Sequence, residues 1–469
     1  MSDHVPSARR VRSRSTAGQL RRRALGFAVL SGIAVIAAAG IAAGDDEPRR
    51  PRLGIGGSAI DPAAGRTTEG SPTRGPISPA GPVDGHTVPD RTLDRRAPLD
   101  DLPDILIGDE ALRGRIDLAS MRPDGGGFEV RLDGGRRARL TLDARIQDAA
   151  QKLLVSSRAP MSAIVVMSPD GRILALAGRK HGPPSEDGAY DLATRVWAPA
   201  ASVFKLVTAA ALLQAGVGPN DRVCFHGGIR DVSASNLVDD RRDRKCEDLG
   251  FAVARSQNAI VAKLAHKFLD GKRLAAAARA FGLGRAPAFS LDCEASRFTV
   301  PEGELELARF AAGFWSSELS AVDGAVLASV IANRGMRITP RIVSEVVESD
   351  GSRRKVVAVA PERAIPARVA AEIGRMMVAT TESGTAYHAF HGRRGRSLLR
   401  GITVAGKTGS LDRDKPSYLG YSWFVGYAPA EKPDVIVAVV LGNPESWYLK
   451  AHTAARMLLE AALAARRRD

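Results

Sequence analysis

Apolar positions along the chain fall into three regimes. From Ala24 to Ala43 the sequence runs ALGFAVLSGIAVIAAAGIAA, twenty residues without a charge. At about 1.5 Å of rise per residue, such a helix spans a hydrocarbon layer of about 30 Å. From about Asp45 to Pro98 the residues are mainly Pro, Gly, Arg, Asp and Thr with scarcely an apolar cluster, a composition that does not offset its own ordering entropy. From Leu102 onward short apolar runs return. The pattern predicts a basic tail over 1–23, a transmembrane anchor over 24–43, a disordered Pro/Gly-rich linker over 44–101, a short extension over 102–135 and a folded domain over 136–469.

Within that domain the period of the apolar positions separates strands from helices. Phe128 to Leu132 and Arg139 to Leu142 flank Asp133-Gly134-Gly135 and predict a hairpin. Asp143 caps a helix whose apolar residues Ile146, Ala149, Ala150, Leu153 and Leu154 share one face. Ser162 to Met167 and Arg172 to Ala177, joined by the turn Ser168-Pro169-Asp170-Gly171, predict adjacent antiparallel strands. Helical patterns follow at Ala201 to Ala215, Phe251 to Leu269 and Ala321 to Asn333. Strand patterns return at Ile402 to Lys407, Ser422 to Tyr427 and Val435 to Leu441, before a last helix over Ala451 to Ala465. The expected class is α+β: an antiparallel sheet of about five strands flanked by helices and closed late by distant sequence.

Composition narrows the function. With 44% hydrophobic and 25% charged residues, the chain is neither wholly disordered nor a multi-span membrane protein. The three cysteines, Cys224, Cys246 and Cys293, form no CxxC pair and no HExxH is present, so no metal and no cofactor is expected. The net charge of +15 is concentrated at the start, where residues 1–23 carry seven arginines against Asp3, leaving +9 for the remainder. Basic stretches are not interleaved with aromatics, and no nucleic-acid partner is expected. Arginines before the apolar run, with Asp45, Asp46 and Glu47 after it, predict a cytoplasmic N-terminus and an exported bulk. A cleaved signal peptide is the alternative, with small residues at Ala37-Ala38-Ala39 and a weak twin-arginine pair at Arg22-Arg23. In an oxidising compartment, Cys224 and Cys246, close together in a polar loop, are disulfide candidates, and Cys293 is left as a buried thiol.

Ser202-Val203-Phe204-Lys205 places a hydroxyl and an amine on one helical face. Chance alone supplies such a spacing about once in this chain, and Ser352-Arg353-Arg354-Lys355 is a second copy in a polar turn. Ser202 differs because it opens an apolar helix, where amide dipoles favour developing negative charge. The bland alternative for Ser202 is a simple helix cap. Lys407-Thr408-Gly409 ends a strand-like run and is much rarer by chance. Ser256-Gln257-Asn258 starts another helical pattern.

These three motifs, in this order and separated by 50 and 148 residues, resemble the penicillin-binding protein transpeptidases and their serine β-lactamase relatives. Leu140-Thr141-Leu142-Asp143 with Gln147, Ala163-Ile164-Val165-Val166, Gly384-Thr385-Ala386 and Trp423 to Pro429 also look like that family's landmarks. The resemblance implies Ser202 as nucleophile toward the penultimate D-alanine of a peptidoglycan stem peptide, Lys205 as its base and Ser256 as proton carrier. It implies Asn258 on the substrate amide, Lys407, Thr408 and Ser410 on the terminal carboxylate, and Gly409 within the same strand. The amides of Ser202 and Ser410 form the implied oxyanion hole. The residues between Asp45 and Gly134 are too few and too polar for a glycosyltransferase domain, so a monofunctional enzyme is expected.

The reading that follows is a D,D-transpeptidase in the bacterial cytoplasmic membrane, single-pass, acting outside it and inhibited by β-lactams. Expected partners are stem peptides, the membrane and other cell-wall synthesis proteins. A D,D-carboxypeptidase, a non-catalytic β-lactam receptor or scaffold, and a β-lactamase remain open.

Overall fold

The computed structural model describes residue 99 and residues 103–181, 191–415 and 417–467. The predicted basic tail, the apolar run 24–43 and nearly all of the linker lie outside the described residues. Among the described residues no helix is long and apolar enough to cross a membrane.

The domain opens with β1 (Gly127–Arg131) and β2 (Arg137–Leu140), antiparallel with Val130 opposite Ala138. Asp143 then accepts hydrogen bonds from the amides of Arg145 and Ile146 and so caps α1 (Ala144–Ser157). Next come β3 (Met161–Met167) and β4 (Ile173–Lys180), paired antiparallel. The helical middle holds α2 (Lys205–Gln214), α3 (Leu249–Ala254), α4 (Asn258–Phe268) and α5 (Ala321–Ala332). After β5 (Val343–Val347), β6 (Arg353–Val357) and α6 (Ala367–Glu382), the chain ends in β7 (Ala405–Arg413), β8 (Leu419–Ala428), β9 (Val435–Asn443) and α7 (Ala451–Arg466).

The central sheet has five strands in the order β7-β8-β9-β3-β4, all antiparallel. Its faces follow from the period of two in strand side chains. Along β9, Val435, Val437, Val439 and Leu441 join the core beneath α1 and α7, while Ile436, Ala438 and Val440 join the core on the opposite face. The apolar stripe of α1 buries Ile146, Ala150, Leu153 and Leu154 there. Gln147 is buried beside them and exchanges two hydrogen bonds with the backbone of Leu176, each 2.9 Å, which fixes α1 across β4. On the other face every residue of α5 is buried, Asp323 and Ser329 with the apolar ones, as a helix between sheet and outer helices requires.

A second, six-stranded sheet joins β1 and β2 to β5 and β6, with short strands Ile105–Ile107 and Arg122–Asp124 at its edges. Ser352 lies in the exposed turn between β5 and β6, in keeping with its polar surroundings.

Three elements differ from the sequence pattern. The helical run Phe251 to Leu269 is two helices, broken where Ser256 takes a left-handed φ of 57°. The run from Ala201 starts as a 3-10 turn, Ala201–Phe204, before α2. The strand expected over Ile402 to Lys407 is β7, which begins at Ala405 and continues through the Lys-Thr-Gly motif to Arg413. Backbone pairing with β8, from Ala405 opposite Tyr427 to Arg413 opposite Leu419, sustains it where side chains are small or polar.

Candidate active site

The turn that carries Ser202 is held from several sides. Trp423 on β8 donates its indole N–H to the carbonyl of Pro199 at 2.9 Å, and the amide of Ala200 donates to Ser317 O at 2.9 Å. Ala201 has a φ of 48°, a left-handed conformation that costs a non-glycine residue about 1–2 kcal/mol. Gly313, with φ of 87°, packs so closely on this turn that a Cβ there would overlap the Ala201 carbonyl. From the sheet side, a Cβ on Gly409 would sit 3.3 Å from the Ser202 amide nitrogen. Strand β7 therefore runs directly beside the Ser202 turn, and glycine leaves the gap between them open.

Lys205 is fully buried, and its Nζ lies 2.8 Å from Ser202 Oγ, 2.7 Å from Asn258 Oδ1 and 2.5 Å from the carbonyl of Ala312. Burial pushes its pKa well below the ordinary lysine value, and the charge of Lys407 pushes it further down. Two of its three neighbours can only accept. A neutral amine has two N–H groups and one lone pair, so it satisfies Asn258 and Ala312 by donating and turns its lone pair to the Ser202 hydroxyl.

Asn258 is fixed by the loop that precedes α3. Its backbone N–H donates to Gly228 O at 3.1 Å, and its Nδ2 donates to Ile229 O at 3.0 Å. That loop is closed by a disulfide between Cys224 and Cys246. It is braced by Lys263 of α4, which donates to Asp243 Oδ2 at 2.6 Å and to Cys224 O at 2.9 Å. His226 lies between Asp243 and Ser235, at 2.5 Å and 3.2 Å. Cys293 is a free, partly buried thiol whose pKa is raised by burial.

Lys407, also fully buried, donates to Ser256 Oγ at 3.1 Å and to Thr408 O at 2.9 Å. Burial brings its pKa down to about 7. Thr408 is almost buried and its hydroxyl lies 2.6 Å from that of Thr385. Ser410 is exposed, two positions further along the strand. The structure thus brings Ser202, Lys205, Ser256, Asn258, Lys407, Thr408 and Gly409 together where β7 passes the first residues of α2 and α4, with Ser410 next along β7. The hydroxyl of Ser256 meets Lys407.

Three further contributors lie outside the three motifs. The carbonyl of Ala312 holds Lys205, and Thr208 Oγ1 fixes the neighbouring peptide by donating to Ala311 O at 2.7 Å. Thr385 stands out in sequence only as part of Gly384-Thr385-Ala386. A threonine among the apolar residues between Lys205 and Gln214 is the one signal for Thr208, and a backbone carbonyl leaves none.

A serine paired with a buried lysine beneath a small-residue strand, on a five-stranded antiparallel sheet, defines the class. The chain belongs to the family of the penicillin binding protein transpeptidase domain, whose family model matches residues 161–461. Among its relatives, penicillin-binding protein PbpB of Mycobacterium tuberculosis is 25% identical over 327 residues, covering 65% of this chain and 48% of the relative. Peptidoglycan D,D-transpeptidase PbpA of Mycolicibacterium smegmatis is 25% identical over 309 residues, covering 59% of this chain and 61% of that protein. The chain spans about half the length of the curated relatives it matches. The solved D,D-transpeptidase domain of a peptidoglycan glycosyltransferase from Eggerthella lenta aligns with a TM-score of 0.60 at 26% identity, covering 75% of this chain and 91% of that one. The imipenem acyl-enzyme complex of penicillin-binding protein A from M. tuberculosis aligns with a TM-score of 0.58 at 24% identity, covering 70% and 80%.

Proposed function

We propose that the protein is a membrane-anchored D,D-transpeptidase that crosslinks peptidoglycan stem peptides through an acyl-enzyme on Ser202 and is inhibited by β-lactams. The observation that carries this reading is the buried Lys205 amine, 2.8 Å from the Ser202 hydroxyl, with acceptors at its other two contacts. Ser202 Oγ attacks the carbonyl carbon of the penultimate D-alanine while its proton passes to Lys205 Nζ. The developing oxyanion takes hydrogen bonds from the amides of Ser202 and Ser410. The peptide C–N bond then breaks, Ser256 passes the proton held by Lys205 to the departing D-alanine nitrogen, and an ester remains on Ser202. An amine from a neighbouring stem attacks that ester, forming the crosslink and returning a proton to Ser202. Asn258 binds the substrate amide, and Lys407, Thr408 and Ser410 bind the terminal carboxylate.

The apolar run 24–43 and its flanking charges support an anchor that leaves the catalytic domain on the outer side of the cytoplasmic membrane. Anchoring keeps the site near the wall, where acceptor stems are concentrated, which favours transfer over hydrolysis.

Fluorescent penicillin is expected to label the protein at Ser202. Ser352→Ala is expected to keep the label and Ser202→Ala to abolish it. With a stem-peptide donor and an amine acceptor, crosslinked product is expected to rise with acceptor concentration. Release of D-alanine with no crosslinked product would replace this reading with a carboxypeptidase. Labelling with no turnover of any donor would replace it with a receptor.

A further inference from the structure

Thr385 touches the site without belonging to any of its three motifs. Its hydroxyl oxygen lies 2.6 Å from that of Thr408. Its backbone N–H donates to the carbonyl of Ala254 at 3.1 Å, at the end of α3 and two residues before Ser256. A Cβ on the preceding Gly384 would overlap that same carbonyl. This turn is therefore clamped between the helix leading to Ser256 and the strand carrying Lys407 and Thr408.

The two hydroxyls hold one proton each, and only one of those protons can occupy the bond between them. If Thr408 donates to Thr385, its proton is spent and its oxygen can offer an incoming carboxylate no donor. If Thr385 donates to Thr408, the Thr408 proton is free. A carboxylate accepts only, so its arrival selects the second arrangement, and a hydroxyl that accepts one hydrogen bond donates a stronger one. We propose that Thr385 is a positioning residue for carboxylate recognition: it supplies the proton that commits the Thr408 hydroxyl to donate toward the substrate's terminal carboxylate. This inference rests on the transpeptidase reading and deepens it.

The test uses two D-alanyl thioester donors, one ending in a free carboxylate and the other capped as its methyl ester. Acylation kcat/KM is measured for both with the full chain. In Thr385→Val, which keeps the shape and removes the proton, the preference for the carboxylate donor over the capped one is expected to fall about tenfold, mostly through KM, because the Thr408 hydroxyl is no longer committed to donate and its bond to the carboxylate weakens. Thr385→Ser is expected to restore the preference. Because the ratio is read within each variant, partial loss of folded protein cancels, and Thr385→Ala provides a second reading with the same expected direction. An unchanged ratio in both variants, or a serine that fails to restore it, would overturn the inference. Wild-type protein acylated by neither donor would remove the transpeptidase reading itself, and this inference with it.

Discussion

Two buried lysines lie beside Ser202 and Ser256, and the proposed reaction needs them in opposite charge states. Lys205 works as a base only when neutral, whereas Lys407 attracts a carboxylate only when charged. Burial lowers both pKa values, and the Lys407 charge lowers that of Lys205 further, which favours the neutral amine the base role needs. The sign of the pH dependence follows. As pH falls, Lys205 is protonated and acylation is lost on the acid side, far below the usual lysine range. As pH rises through about 7, free Lys407 is neutralised and carboxylate recognition weakens. The acylation kcat/KM of a carboxylate donor is therefore expected to be bell-shaped, and that of an ester-capped donor to lack the alkaline limb. Stopped-flow acylation with both donors checks this, and an alkaline limb of equal depth with the capped donor would refute the assignment of Lys407. At this scale the motif side chains were legible in sequence because each has an unusual type at a specific spacing. Ala312 was not, since it acts through a carbonyl that every residue possesses.

At the scale of elements, the site depends on turns that hydrophobic periodicity smooths over. The apolar period continues across Ser256, so the pattern alone predicts one helix where the structure has α3 and α4. The break became visible only as a left-handed φ at that serine. Strand β7 extends beyond its apolar pattern for the converse reason: its later half has no apolar alternation, because Ser410 and Asp412 face solvent and the ladder with β8 holds the strand. The 3-10 turn before α2 depends in the same way on a long-range contact, Gly313 against Ala201. Gly313→Ala is expected to destabilise the domain by about 1–3 kcal/mol and to slow penicillin acylation about tenfold or more, because left-handed strain and overlap with the Ala201 carbonyl act together. Gly216→Ala is the comparison, since Gly216 has a similar φ of 94° and open space around its Cβ position. It is expected to cost about 1 kcal/mol and to leave acylation intact. Chemical denaturation with labelling kinetics distinguishes the two, and equal acylation in both variants would refute the role given to Gly313.

For the whole domain, the central sheet joins a hairpin, β3-β4, to a three-stranded meander, β7-β8-β9, far away in sequence, since β9 closes onto β3 with Val439 opposite Ile164. That pairing was legible in outline, because each strand carries its own period and the sheet needs its late strands to cover both cores. The loop bearing Gly228 and Ile229 was not, since its contacts with Asn258 are made by backbone carbonyls. Two devices hold this loop: the Cys224–Cys246 disulfide, which closes a separation of 22 residues, and the buried contact of Lys263 with Asp243. They act through different states. The disulfide limits the unfolded chain and contributes about 3 kcal/mol for a loop of this length, whereas the ion pair acts in the folded protein and survives reduction. Reduction, or replacement of both cysteines by serine, is therefore expected to lower unfolding stability by about 3 kcal/mol while Ser202 still reacts with penicillin under native conditions. Thiol titration of the unreduced, unfolded protein is expected to find Cys293 alone. Three reactive thiols, or identical denaturation midpoints with and without reductant, would show that the loop is held by its ionic contacts and not by the disulfide.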